Sequence, residues 1–265
     1  MIDLHCHLLP GIDDGASDLR TSLAMARAAV ADGIRVVACT PHIYPGLYEN
    51  TADGIRAAVG KLAEQLRRRR IPLQLVVGAD VHLAPDLLAR LRDGQVPTLH
   101  GSRYLLLEPP HHVAPPRFES SVFALAASGY VPVITHPERL TWIESHYSTL
   151  QRLAERGVWM QLTAGALTGR FGKRPRYWGE RLLDEGCAHL IATDAHDEDQ
   201  RGPRLAEGRD AAARRVGDAE AERLVLVRPQ AILKNLDPAR VAAPRSPEAP
   251  RGGTWQRVQE LFEWH

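Results

Sequence analysis

Seven short apolar runs alternate with longer segments of helical spacing along most of the chain, and this alternation constrains the fold more than any other feature. After the first run, Leu19, Leu23, Ala26 and Val30 recur at intervals of three and four, as on one face of a helix. Strands that alternate with helices build parallel sheets through crossover connections. Seven such units without a clear linker favour one closed α/β barrel over an open sheet. The runs span residues 2–7, 34–42, 73–80, 103–108, 130–136, 158–165 and 189–196.

The last part of the chain differs in composition from the rest. Residues 237–253 are rich in proline, alanine and arginine, which is typical of an extended linker or tail. Beyond them, Trp255, Val258, Leu261 and Phe262 are spaced for one face of a short helix, which either docks on the barrel or binds a partner. We therefore expect a barrel over residues 1–236 and a tail over residues 237–265.

Charge and cysteine content narrow the class of function. A formal net charge of +1 over 265 residues gives no reason to expect nucleic-acid binding or attraction to a membrane surface. No apolar run approaches the roughly 20 residues of a membrane span, and the start of the chain does not resemble a secretion signal. The three cysteines, Cys6, Cys39 and Cys187, are a sparse, odd set that fits a reducing compartment, so we expect a cytoplasmic protein.

Nearly every predicted strand ends in a residue that can bind a metal ion. The carboxyl ends of the strands of a parallel barrel share one face, where active sites form, and residues i and i+2 of a strand point to the same side. Imidazole and carboxylate without thiolate suit zinc, manganese or iron. Because the set is too large for one tetrahedral ion, we expect two or three ions bridged by a carboxylate. The strand-end residues are His5, His7, His42, Asp80, Glu108, His136, Asp194 and His196.

The segments MIDLHCH, PGIDDGA, CTPH, GAD, LLLE, ITHPER and ATDAH together resemble the bacterial metal-dependent tyrosine phosphatases of the polymerase-and-histidinol-phosphatase (PHP) superfamily, the CpsB/YwqE type. The resemblance runs from Met1 to about Leu236. It implies a distorted (β/α)7 barrel that holds three divalent metal ions, most often manganese, with iron and zinc as alternatives. It also implies a phosphotyrosine protein as substrate, namely a bacterial tyrosine kinase that controls capsule or exopolysaccharide export.

The resemblance further implies which ion each ligand binds. Asp80 matches the carboxylate that bridges the first two ions, but the family commonly has glutamate there, and the shorter aspartate leaves the spacing of these ions open. Asp13 is expected to stabilise a turn, and His111 and His112 are expected at the rim of the site instead of among its ligands. The implied ligands are His5, His7 and Asp194 for the first ion, Glu108 and His136 for the second, and Asp14, His42 and His196 for the third.

Such a site is suited to the hydrolysis of phosphate monoesters. Clustered ions offset the charge of the phosphate and lower the pKa of bound water to about 7, which predicts direct attack by metal-bound hydroxide. A phenolate with a pKa of about 10 leaves with little help, although His42 or His136 could donate a proton to it. Arg139 and Arg201 match phosphate-contacting arginines of the family, and guanidinium binds phosphate oxygens in a bidentate fork. The three cysteines do not fit the C-x5-R motif of thiolate phosphatases.

Two other functions remain consistent with these residues. A small-molecule phosphatase, such as one that acts on histidinol phosphate, would place the same ions in a deep pocket instead of behind an open basic rim. An inactive barrel would bind metal and serve as an interaction module for a kinase or polymerase. The complete ligand set together with Arg139 and Arg201 argues against the inactive barrel.

Overall fold

A computed structural model describes residues 1–246, and within this range nine strands occupy the seven predicted runs. The second run is split at Thr40–Pro41 and the third at Gly78–Ala79. Proline has no backbone N–H to donate to a neighbouring strand, which accounts for the first break. The strands are β1 (Ile2–Cys6), β2 (Val36–Cys39), β3 (His42–Ile43), β4 (Gln74–Val77), β5 (Asp80–His82), β6 (Tyr104–Glu108), β7 (Val131–Thr135), β8 (Trp159–Thr163) and β9 (Leu190–Ala192).

Helices follow the strands and cover the outside of the molecule. Asp18 accepts a hydrogen bond from the backbone N–H of Thr21 at 2.8 Å and so caps the first helix. Short 3₁₀ turns lie at Leu99–Gly101, Pro137–Arg139 and Pro238–Arg240. The helices are α1 (Leu19–Ala31), α2 (Ala52–Arg68), α3 (Leu87–Arg92), α4 (Phe118–Ala127), α5 (Ile143–Glu155), α6 (Ala164–Leu167), α7 (Lys173–Asp184), α8 (Leu205–Val216), α9 (Asp218–Glu222), a π-helical turn (Arg223–Val227) and α10 (Arg228–Leu233).

The strands form two parallel sheets that together make an interrupted ring. One sheet has the order β1-β2-β4 and the other β3-β5-β6-β7-β8-β9. Beside β9, Cys6 pairs with Ala195 in an isolated parallel bridge, and the N–H of His7 donates to the carbonyl of Ala195 at 2.9 Å. The prediction of a distorted (β/α)7 barrel is therefore confirmed.

The interior of the ring changes from apolar to polar along the strands. One apolar cluster takes residues from seven strands, including Leu4, Leu106 and Ala192, and so fills the ring from the amino ends of the strands. Glu108 lies two residues after Leu106, and Asp194 lies two residues after Ala192. Both side chains therefore point to the same inward side as these core residues. A second, larger cluster packs the outer faces of the strands against the helices. The core thus ends where the predicted ligands begin.

Residues that follow α10 cover the opposite end of the ring. The hydroxyl of Tyr104 donates to the carbonyl of Leu236 at 2.9 Å. Arg228 is 1% exposed, forms an ion pair with Glu220 at 2.6 Å and donates from Nε to the carbonyl of Ala242 at 2.9 Å. This end of the barrel is therefore closed by protein, and access is from the carboxyl ends of the strands.

Two further findings concern the described residues. Within residues 1–246, every helix is too short or too polar to span a lipid bilayer. All three cysteines of the chain are buried and free. The short helix predicted from Trp255, Val258, Leu261 and Phe262 lies outside the described residues.

Candidate metal centre

The structure gathers the nine predicted ligand residues at the carboxyl ends of the strands. Potential donor atoms of His, Asp and Glu side chains fall into overlapping groups whose members lie within 4.8 Å of one another. His7 belongs to two of these groups, and so do His42, Asp80 and Glu108, which makes the groups one continuous cluster. The cluster includes every residue that the sequence analysis proposed as a ligand, with Asp194 joined to it through His5 and His7.

The spacing of the donor atoms fits ions held between them. The Nε2 atoms of His5 and His7 are 3.2 Å apart, and each is 3.4 Å from Oδ1 of Asp194. Two ligand atoms at about 2.1 Å from one tetrahedral ion are about 3.4 Å apart, whereas an N–H···O hydrogen bond is typically about 2.9 Å long. These three side chains therefore have the geometry of a shared metal position.

The same spacing recurs at the other predicted positions. Oδ1 of Asp14 is 3.4 Å from Nε2 of His42 and 3.4 Å from Nε2 of His196. Oε1 of Glu108 is 3.8 Å from Nε2 of His136. The three groups of residues that the sequence analysis assigned to separate ions are thus each close enough to share one.

Asp80 lies between these groups, and the surroundings of its carboxylate indicate that the cluster can bind cations. Its Oδ2 is 3.4 Å from Nε2 of His5 and 3.5 Å from Nδ1 of His42. The side chain is fully buried, and neither carboxylate oxygen has a hydrogen-bond partner among the described residues. Because an unpaired buried carboxylate is very costly, this donor set fits divalent metal ions.

The IDDG segment folds into a turn that holds one ligand in place. Oδ2 of Asp13 lies 2.7 Å from Nδ1 of His7, while Oδ1 accepts from the N–H of Gly15 at 3.0 Å. A Cβ atom at Gly15 would lie 2.4 Å from Cβ of His7, so only glycine allows this approach. Burial lowers the pKa of His7, but the carboxylates of Asp13 and Asp194 outweigh it and raise the pKa to about 10. Asp13 thus stabilises the turn and directs Nε2 of His7 towards Asp194.

Two buried polar residues that orient the strands were not identified from the sequence. Oε1 of Gln161 lies 2.8 Å from Nδ1 of His5, which leaves Nε2 of His5 for a metal ion. Asp3 accepts hydrogen bonds from the N–H groups of Thr193 at 3.0 Å and His5 at 3.3 Å, and so joins β1 to the end of β9. The signal that could have revealed both is a lone polar residue inside an apolar run, as in VWMQLT and IDLHC.

Two of the predicted ligands have a left-handed backbone. His136 has φ +35° and Asp194 has φ +51°, each directly or almost directly after a strand. Residues other than glycine rarely adopt this conformation, and when they do they cluster at functional sites. At His136 the turn allows the backbone N–H to donate to the carbonyl of Gln161 at 2.8 Å. Four other non-glycine residues with this backbone lie outside the cluster, whereas at His136 and Asp194 the left-handed turn carries a predicted ligand.

Three carboxylates of the cluster, those of Asp194, Glu108 and Asp14, have pKa values held below their usual range. Burial raises the pKa of Asp194, but His5 and Arg139 outweigh it and hold the pKa well below its usual range. Burial likewise raises the pKa of Glu108, and the imidazoles around it, His111 first, lower it far more. The pKa of Asp14 is lowered in the same way by His196. All three carboxylates are therefore in the form that binds a metal ion.

Both predicted phosphate-contacting arginines lie at the edge of this cluster. Nη2 of Arg201 is 2.7 Å from Oδ2 of Asp194, and Arg139 donates to the same oxygen. The guanidinium of Arg139 also lies over the ring of Phe171, 4.6 Å from its centre. The side chain of Arg139 is 17% exposed and that of Arg201 is 29% exposed, so both still reach the open space above the cluster.

A cleft of about 420 Å³ opens above the cluster and both arginines. Its wall includes Tyr44, which is 36% exposed and stacks on His82 with ring centres 3.8 Å apart. Val113, on the loop after β6, is 69% exposed and also lines the cleft. The cleft thus combines a charged base with apolar groups at its rim.

Comparison with known proteins finds one family along most of the chain. The family model for capsular polysaccharide synthesis, CpsB/CapC, matches residues 1–234. The chain is 39% identical over 197 residues to the tyrosine-protein phosphatase YwqE of Bacillus subtilis, across 74% of this chain and 78% of that protein. It is 28% identical over 244 residues to the tyrosine-protein phosphatase CpsB of Streptococcus agalactiae, across 89% and 99% of the two chains.

A solved structure is similar as well. It comes from crystal structures of YwqE from Bacillus subtilis and CpsB from Streptococcus pneumoniae, described as unique metal-dependent tyrosine phosphatases. It matches this chain with a TM-score of 0.85 and 35% sequence identity, over 89% of this chain and 96% of the other. The similarity thus covers the whole barrel and the face that carries the cluster.

Proposed function

The chain belongs to the CpsB/CapC family of capsular polysaccharide synthesis, and on this basis we propose that it is a metal-dependent protein-tyrosine phosphatase. One observation carries the proposal: buried imidazole and carboxylate donors about 3.4 Å apart lie directly below two arginines in an open cleft. Relatives of the chain are named tyrosine-protein phosphatases, and the similar solved structure is described as metal-dependent.

We assign three divalent ions to the cluster, with manganese as the first candidate and iron or zinc as alternatives. Such ions would neutralise charge on the phosphoryl oxygens and supply water that ionises near neutral pH. Asp80 would contact two of the positions, since its buried oxygens are otherwise unpaired. The assigned ligands are His5, His7 and Asp194 for the first ion, Glu108 and His136 for the second, Asp14, His42 and His196 for the third, and Asp80 as the bridge.

The residues around the ions have separate tasks in this proposal. Arg139 and Arg201 bind the non-bridging phosphoryl oxygens, and their shared contact with Asp194 holds both guanidinium groups at the cleft. His42, which is 13% exposed and borders the cleft, is the proposed proton donor to the departing phenolate oxygen, and His136 is the second candidate; each would act through the ring nitrogen that holds no ion.

The shape of the cleft favours an aryl phosphate on a protein. Tyr44 and Val113 offer exposed apolar surface at the rim, where the ring of a phosphotyrosine would lie once its phosphate reached the arginines. We propose a phosphotyrosine protein as the substrate, namely a bacterial tyrosine kinase of capsule or exopolysaccharide synthesis. The free cysteines support a cytoplasmic location. We also propose residues 1–236 as the catalytic barrel and 237–265 as a tail.

The test is turnover of a phosphotyrosine peptide beside histidinol phosphate, with purified full-length protein and added Mn²⁺. We expect faster hydrolysis of the peptide, loss of activity with a chelator and its return when Mn²⁺ is restored. Preferential hydrolysis of histidinol phosphate would favour the small-molecule phosphatase. No hydrolysis of either compound across about pH 6–9, with manganese, iron or zinc, would contradict the proposal and favour the interaction module.

A further inference from the structure

His111 lies closer to the cluster of predicted ligands than a rim residue would. Its Nε2 atom is 3.4 Å from Oε1 of Glu108 and 3.2 Å from Nδ1 of His136, so an ion shared by all three side chains would face Nδ1 of His136 and not the Nε2 that lies 3.8 Å from Glu108. These three side chains form one of the groups whose donor atoms lie within 4.8 Å of one another. The neighbouring His112, by contrast, is exposed, and it is not a member of any such group among the described residues.

The loop that carries His111 is held in place by hydrogen bonds from the segment that follows His136. The N–H and hydroxyl of Thr141 both donate to the carbonyl of His111, at 2.9 Å and 3.0 Å. The indole N–H of Trp142 donates to the carbonyl of Pro110 at 2.8 Å. His111 and His136 are therefore held relative to each other by backbone contacts, as expected of two side chains that serve one site.

The position of Asp80 explains why a further donor is needed there. Its Oδ2 lies within 3.5 Å of His5 and His42, and one of its oxygens lies within 4.8 Å of an oxygen of Glu108, whereas no side-chain N···O pair within 4.0 Å links it to His136 in residues 1–246. An aspartate reaches one methylene less far than a glutamate from the same backbone position. Its buried, unpaired carboxylate therefore lies nearest to ligands of the first and third positions and approaches the second position from the side of Glu108 but not of His136, which leaves that position with few donors.

We propose that His111 is a further ligand of the second metal position, together with Glu108 and His136, and that it compensates for the short side chain of Asp80. This inference rests on the proposed metal dependence. It does not depend on which phosphomonoester is hydrolysed. Three donors from the chain, with Asp80 at the edge, would give the second ion a set comparable in size to the other two positions.

The experiment is calorimetric titration of the metal-free, full-length protein with Mn²⁺ alone and, separately, with Zn²⁺ alone. In His111→Ala we expect one equivalent to bind at least about tenfold more weakly, which is the effect of losing even an outer partner of a ligand. His112→Ala is the matched control and should bind as the unaltered chain does. Asp80→Glu combined with His111→Ala should recover part of the lost affinity, because the longer carboxylate reaches the second position.

The inference is overturned if His111→Ala binds the same number of equivalents with unchanged affinities, or if Asp80→Glu fails to recover affinity. Urea unfolding of the metal-free variants checks that they fold, and His111→Gln replaces His111→Ala if the smaller side chain destabilises the barrel. Turnover of a phosphotyrosine peptide by the unaltered chain is measured in parallel. Normal turnover by the unaltered chain, together with unchanged metal affinity in His111→Ala, contradicts only the role of His111. Metal binding without turnover contradicts only the phosphatase activity.

Discussion

Buried His189 should make the barrel sensitive to acid. It is 7% exposed, its Nδ1 accepts from the N–H of Met160 at 3.2 Å, and its ring stacks on Trp159 with centres 5.1 Å apart. Burial, and then the positive charge of Arg228, lower its pKa to about 3. An unfolded histidine has a pKa of about 6.5. Below that pH the unfolded chain therefore binds a proton at this residue and the folded chain does not.

The size of the effect follows from this difference in pKa. The folded state has its full stability above about pH 6.5 and loses part of it progressively as the pH falls towards 3. At pH 5 the loss from His189 alone is about 2 kcal/mol, and it changes little for any folded pKa below about 4. For a protein of ordinary stability, about 5–15 kcal/mol, this is a large fraction.

The assay is urea unfolding of the metal-free protein at pH 8 and pH 5, for the unaltered chain and for His189→Asn. Asparagine keeps an acceptor near Nδ1 but does not titrate, so the variant should lose about 2 kcal/mol less between the two pH values. His100→Asn is the control, since His100 is exposed and its φ of +54° is one that asparagine tolerates. Equal losses in all three proteins would refute the reasoning.

Four changes at the cluster test the assigned roles. Asp194→Ala should abolish hydrolysis and lower metal content in elemental analysis, whereas Arg139→Ala should keep its metal and mainly raise KM; an emptied Arg139→Ala site would show that its assigned role is wrong. Gln161→Leu removes the acceptor of His5 and should weaken metal binding about 10–100-fold in a titration, while Gln151→Leu on α5 should not. Asp80→Glu should keep or raise the rate of hydrolysis, and a strong loss would mean that the barrel has adapted to aspartate.

The barrel could be predicted because each run carries its own local signal. Runs of six to nine residues, bounded by segments of helical spacing, indicate a parallel sheet, and parallel strands place their carboxyl ends on one face. It follows that residues far apart in sequence, such as His5 and Asp194, approach each other without any local signal that pairs them. Their placement depends on topology alone, and topology is what the alternation of runs predicts.

The orienting contacts could not be predicted in this way. Gln161 lies 156 positions from His5, and nothing near either residue indicates that their side chains meet. The break in the third run and the fixed loop at His111 depend on the same long-range packing, whereas the break in the second run has a local cause in Pro41. Spacing along the chain identifies which residues reach the face, whereas the partner of each donor is decided by neighbouring strands and loops.

The left-handed backbones at His136 and Asp194 have a consequence for how the protein could be altered. Each conformation costs about 1 kcal/mol of backbone strain, which glycine would relieve at an entropic cost of roughly 0.5–1 kcal/mol. A chain with glycine at both places would lose the two groups on which its chemistry is proposed to depend, and Arg139 and Arg201 would lose their shared partner Asp194. The backbone strain at these two positions is therefore inseparable from the side chains that the proposed reaction needs.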